Sequence, residues 1–266
     1  MSGESDYKTI LVSRDNHVLT VTLNRPERLN SFDEAMCVEF ERLWKATAFD
    51  DDIHAVVVRA AGDRAFSTGV DVGEPIHQPP NAWSHRDPGA RLGPKANLCW
   101  KPVVCAVHGM AAGGAFYWIN EADITICSED ATFFEPHVSY GMTAALEPIG
   151  LLPKIHLGDV IRMALLGSDE RLSAATALQI GLVSEVVPRE ALWERADRLA
   201  HLIAKKSPVA VQGTVRAIWE ALDLGRRAAL ERGLHYTILG NYLETGDPLG
   251  LDNPNRPAKV TEWNVR

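Results

Sequence analysis

Apolar and polar residues alternate at period two through YKTILVSRD and HVLTVTLNR, with Asp15-Asn16 between them, which predicts an antiparallel hairpin. The period then changes. Phe32, Ala35, Met36, Phe40, Leu43 and Trp44 recur at helical spacing up to residue 48, and Ser31 with Glu34 forms a capping-box start. AVVVRAAG, residues 55–62, is a continuous apolar run suited to a strand buried on both faces. Further strands are predicted at 103–107 (VVCAV), 123–128 (DITICS) and 182–188 (LVSEVVP), with a short extended TFF and a helix beginning near Gly113. This order gives an α/β class. After Pro188 only helical patterns follow. Residues 74–97 carry five prolines and no periodic apolar face, so they read as a surface loop, with Trp83 placed to cover a ligand.

Composition narrows the class. At 266 residues with 46% hydrophobic content the chain can bury a large core, and no apolar run reaches bilayer length. The start MSGESDYKTI has neither the basic end nor the apolar centre of a signal peptide. A cytoplasmic protein is expected. A net charge of −8 argues against a nucleic-acid footprint, and any anionic ligand must be held by local basic groups and backbone dipoles. The four cysteines stand singly, without metal or disulfide spacing.

One stretch stands out. GMAAGGAFYW, residues 109–118, follows an apolar strand with one histidine, His108, between them. Small residues there permit either close helix-on-strand packing or a ligand's approach to the backbone N–H groups. Neither dinucleotide nor P-loop glycine spacing is present.

AFSTGVDVGE after one buried strand and HGMAAGGAFY after the next, with LNRPERLNSFD before and ATALQIGLVSEVVP after, resemble the enoyl-CoA hydratase/isomerase, or crotonase, superfamily. The resemblance runs in order over roughly residues 8–190. It implies a spiral of ββα units, with a core domain over 1–190 and a helical oligomerisation region over 191–266 that makes a trimer or dimer of trimers. It also implies an acyl-CoA thioester as substrate, with coenzyme A a part of that substrate and no separate cofactor. By the same resemblance the N–H groups of Val70 and Gly114 grip the thioester oxygen. Arg28, Leu29, Val70, Asp71, Val72 and Gly114 face the coenzyme A groove, and Lys259 is a further contact from the tail. Fixed N–H dipoles suit an oxygen that gains negative charge as an enolate forms.

The chain departs from the family at the two glutamates its hydratases use. Tyr117 stands at the first position and His137 at the second. Histidine can act as base or acid near neutral pH, and tyrosine as a donor. Glu147, in TAALEPIG, is an alternative carboxylate, and Glu135 is placed to orient His137. His137 is favoured over Glu147 as the base because it inherits a catalytic position. The leading expectation is an acyl-CoA-processing enzyme that stabilises a thioester enolate without the two-glutamate machinery. The alternatives are an ordinary hydratase or isomerase using Glu147, and a catalytically silent acyl-CoA-binding protein.

Overall fold

The alternating segments at the start do form a hairpin, β1 (Ile10–Asp15) with β2 (Val18–Leu23), closed by Asn16 and His17 at positive φ. The computed structural model describes residues 7–74, 76, 78–247 and 249. Helix α1 (Glu34–Ala48) follows, but Asp33 caps it: its carboxylate accepts from Met36 N at 2.8 Å, while Ser31 Oγ donates to Arg28 O at 2.9 Å. The expected capping box is therefore replaced by an aspartate two residues later, which also brings a negative charge to the helix start.

From there the chain alternates between two sheets. β3 (Ala55–Ala60), β5 (Val103–Val107) and β7 (Ile124–Ser128) join β1 and β2 in one. β4 (Ala65–Ser67), β6 (Met110–Ala112) and β8 (Thr132–Phe134) lie side by side and parallel in the other. Between β6 and β7 runs α2 (Phe116–Glu121), entered through a 3-10 turn at Gly113–Ala115. After β8 come α3 (Leu146–Leu151) and α4 (Leu157–Leu166). β9 (Leu172–Ser173) then runs antiparallel to β8 and closes the smaller sheet in the order β4-β6-β8-β9. α5 (Ala174–Gln179) leads to β10 (Glu185–Val187), which closes the larger sheet in the order β1-β2-β3-β5-β7-β10. From β3 onward each turn of this spiral delivers one strand to each sheet, the ββα spiral that the resemblance implies.

The continuous apolar runs are buried on both faces. Val56 and Val58 of β3 and Val103, Cys105 and Val107 of β5 point into one core, which includes Phe40, Trp44, Phe66 and Trp118. Their neighbours Ala55, Val57, Val104 and Ala106 face the other way, onto Leu192, Ala196, Ala200 and Ala204. Those four residues recur every fourth position along α6 (Leu192–Ala204). The chain accordingly divides into compact units after Lys205, not at 190, because α6 covers the large sheet. The second unit holds α7 (Pro208–Glu220) and α8 (Arg226–Thr245), tied by Tyr236 and Arg232, which both donate to Glu220 Oε2.

All four cysteines are buried and free, and burial pushes the Cys37 and Cys127 thiols up to about 12. Among the described residues no helix is long and apolar enough to cross a membrane.

Candidate active site

Three loops leave the same edge of the small sheet and converge. After β4, Ser67 Oγ donates to Asn30 O at 2.8 Å and accepts from Gly69 N at 3.2 Å, which folds the chain sharply. Gly69 has φ +87, and a Cβ there would lie 2.7 Å from Gly114 N. Only glycine fits. Phe32 N donates to Gly69 O and Asp71 N to Phe32 O, both at 2.8 Å, so the two amides that flank Val70 are fixed against the segment before α1.

Arg25 locks this loop from behind. Its guanidinium donates to Ser31 O at 2.6 Å and to Asp71 Oδ2 at 3.1 Å, and pairs with the α1 cap Asp33 at 3.2 Å. Asp71 thus faces Arg25 and not the groove expected for it.

The loop after β6 supplies the second wall. Gly113 has φ +51, and a Cβ on Gly114 would meet the Phe32 ring at 2.4 Å. The glycine pair therefore serves close packing, and the same packing brings the Gly114 amide beside the Val70 loop. Among the described residues neither the Val70 nor the Gly114 N–H donates to a protein acceptor. The third loop, after β8, carries Glu135, Pro136 and His137. Glu135 is fully buried, and its Oε1 accepts from both His137 Nδ1 and His137 N.

A cavity of about 860 Å³ lies over these loops. Leu29, Val70, Val72, Gly114, Tyr117, His137 and Glu147 all line it. Arg28 and Asp71 do not; Arg28 is an exposed residue of the 3-10 turn Pro26–Arg28. Lys259 lies outside the described residues. Trp83 is 97% exposed and away from the lining, so it does not cover the cavity. His108 is buried under β6 and also lines no part of it.

Tyr117 donates its hydroxyl to Asp87 Oδ1 at 2.9 Å, and Asp87 also accepts from Gly89 N at 2.9 Å. A Cβ on Gly89 would strike the Tyr117 ring at 2.1 Å. The loop read as featureless from sequence is thereby pinned at this point, and it contributes Asp87 to the lining. Nothing in its sequence marks Asp87: the segment has no period, and its contact with Tyr117 spans thirty residues. Burial, with the charges of Glu147 and Asp87 next, pushes the Tyr117 phenol well up and keeps its proton on.

Glu147 sits in the first turn of α3 and is buried. Asn120 of α2 holds this helix by donating to Glu147 O at 2.9 Å, and Gly150 leaves room for that amide. Burial raises the Glu147 carboxyl above the usual 4.5, helped by Glu135 and opposed by His137. The hydrogen bond to Glu135 raises His137 above 6.5, more than burial lowers it. One ligand atom each of Glu135, His137 and Glu147 lies within 4.8 Å of the other two. Two carboxylates and an imidazole are donors a divalent cation can use, but the hydrogen bond from His137 Nδ1 already occupies one oxygen of Glu135. The arrangement is suited to moving protons between a carboxylate and an imidazolium.

The family profile of enoyl-CoA hydratase/isomerase matches residues 13–241. The chain is 34% identical over 227 residues to the (E)-benzylidenesuccinyl-CoA hydratase of Thauera aromatica, covering 84% of this chain and 86% of that one. It is 36% identical over 226 residues to the mitochondrial Delta(3,5)-Delta(2,4)-dienoyl-CoA isomerase of Rattus norvegicus, covering 80% and 69%. Among solved structures, an enoyl-CoA hydratase/isomerase from Mycobacterium paratuberculosis superposes with a TM-score of 0.81 at 34% identity, covering 87% of this chain and 90% of that one.

Proposed function

The chain belongs to the enoyl-CoA hydratase/isomerase family, whose members act on acyl-CoA thioesters, and from that premise we propose that it shifts a double bond in an unsaturated acyl-CoA through a thioester enolate. One observation carries the reading: Val70, Gly114, His137 and Glu147 line a single cavity. The Val70 and Gly114 N–H groups receive the thioester oxygen, and removing one such donor costs about 3 kcal/mol of transition-state stabilisation.

Proton transfer falls to Glu147 and His137. Glu147, buried in the cavity wall, is the base that breaks a C–H bond; the electron pair moves into the thioester oxygen. His137, held as imidazolium by Glu135, returns a proton to another carbon of the delocalised system, and the two side chains then exchange a proton. This reading makes Glu147 the base and His137 the acid, the reverse of the order favoured from sequence, and it is supported by the hydrogen bond to Glu135, which favours the protonated His137. Isomerisation is favoured over hydration because Tyr117 stands at one of the two water-holding positions and its proton is committed to Asp87.

Solvent-deuterium incorporation into bound acyl-CoA, with product analysis by mass spectrometry, tests this. Deuterium in a positional isomer supports the proposal. Water addition without isomer formation replaces it with hydration, and full exchange in both Glu147→Gln and His137→Ala overturns the assignment of residues.

A further inference from the structure

The small sheet arranges its loops in strand order along one edge. Val70 follows β4, Gly114 follows β6 and His137 follows β8. β9 runs antiparallel to β8, so the residue before it, Arg171, lies at that same edge, one strand further on. Leu29 and Val72 belong to the opposite, β4 side, where Thr68 N donates to Leu29 O. A thioester whose oxygen lies between Val70 and Gly114 and whose reacting carbons face His137 therefore points its acyl end toward Arg171. Neighbouring strands lie about 4.8 Å apart, so Arg171 starts roughly 10 Å beyond β6, within reach of a short acyl chain.

Arg171 lines the cavity, and no other arginine or lysine among the described residues does. Its guanidinium lies 4.2 Å from the centroid of the Phe134 ring, itself a cavity residue, and this stacking fixes the plane of the group. Among the described residues it enters no ion pair. Ser168, three residues before Arg171, also lines the cavity, and its N–H donates to Ser139 Oγ at 2.8 Å. Asp87 and Glu147 bring carboxyls to the same cavity, which disfavours an anionic acyl end beside them. A planar guanidinium held on an aromatic ring matches the two oxygens of a carboxylate.

We propose that Arg171 binds a carboxylate at the far end of the acyl chain, so that the substrates are coenzyme A thioesters of short dicarboxylic acids. The inference rests on the acyl-CoA reading of the cavity. Calorimetric titration with saturated, unreactive thioesters tests it independently of turnover. Succinyl-, glutaryl- and adipyl-CoA are compared with butyryl-, valeryl- and hexanoyl-CoA.

At least one carboxylate-terminated thioester should bind about tenfold or more tighter than its methyl-terminated counterpart. In Arg171→Met, which keeps the aliphatic stack on Phe134, the ratio should fall toward one, and Arg171→Lys should retain part of it. The matching pantetheine thioesters carry no phosphate and should show the same ratio and the same loss. A wild-type ratio near one overturns the inference while leaving the acyl-CoA reading intact. Equal weakening of both coenzyme A series by Arg171→Met, with none in the pantetheine series, assigns the arginine to a phosphate and overturns it too. Failure of every coenzyme A thioester to bind removes both readings.

Discussion

In the proposed mechanism, two hydrogen-bonded pairs carry the chemistry at the scale of single residues. His137 with Glu135, opposite Glu147, makes activity bell-shaped in pH: it falls as pH drops through the raised Glu147 value, where the base takes up its proton, and falls as pH rises through the raised His137 value, where the acid loses one. A kcat/KM profile measures both limbs, and the acidic limb should vanish with the residual activity of Glu147→Gln. The second pair is Tyr117 with Asp87. Tyr117→Phe and Asp87→Ala should each lower kcat/KM by a similar factor and add little when combined, because each removes one side of the same contact. Gly89→Ala should be the more damaging change, since its methyl collides with the Tyr117 ring. His137, Tyr117 and Glu147 were legible because they fall at or beside motif positions. Asp87 and Arg171 were not: each reaches the cavity through a contact between distant segments, and residue type alone carries no trace of that.

At the scale of elements, strand ends and caps place the loops. Asp33 both caps α1 and pairs with Arg25, so Asp33→Ala should cost about 1 kcal/mol as a lost cap alone, and more where the Val70 loop loosens with it. Denaturant unfolding reads the first cost, and the affinity for acyl-CoA reads the second. Gly69→Ala should abolish binding, because the positive φ and the Gly114 amide both exclude a Cβ. The buried strands were legible to within two residues: the run at 103–107 is β5 as read, and that at 55–62 is β3 with a two-residue turn appended. The run at 182–188 shrinks to Glu185–Val187, since Leu182 and Val183 enter the core from the turn after α5. An apolar run reports burial, and burial in a turn looks the same. The cap was misread for a related reason, as both Ser31 and Asp33 have capping chemistry and only the path of the chain chooses between them.

For the whole molecule, the outstanding quantity is assembly. None of the described residues of α7 or α8 is fully buried, and Ile218, Leu230, Leu234 and Leu243 are each about 60% exposed. Covering such apolar area against further copies of the chain is the expected remedy. Light scattering should give a trimer or a dimer of trimers, and Leu230→Glu with Leu234→Glu should shift it to smaller species; a wild-type monomer across a wide concentration range contradicts this. Leu239 is 53% and Trp193 of α6 is 38% exposed, the latter beneath the Arg59 guanidinium. The spiral has one more consequence. The proposed grip on the thioester consists of two main-chain amides, and at Val70 every substitution except proline leaves the N–H in place. Alanine scanning along that loop would therefore overlook the group that matters most, whereas replacing the amide itself by an ester, through chemical synthesis of the chain, would remove it without the ring that proline adds. In a lineage the same property lets side chains beyond β8 be exchanged and new reactions be tried, while the hold on the substrate is inherited unchanged.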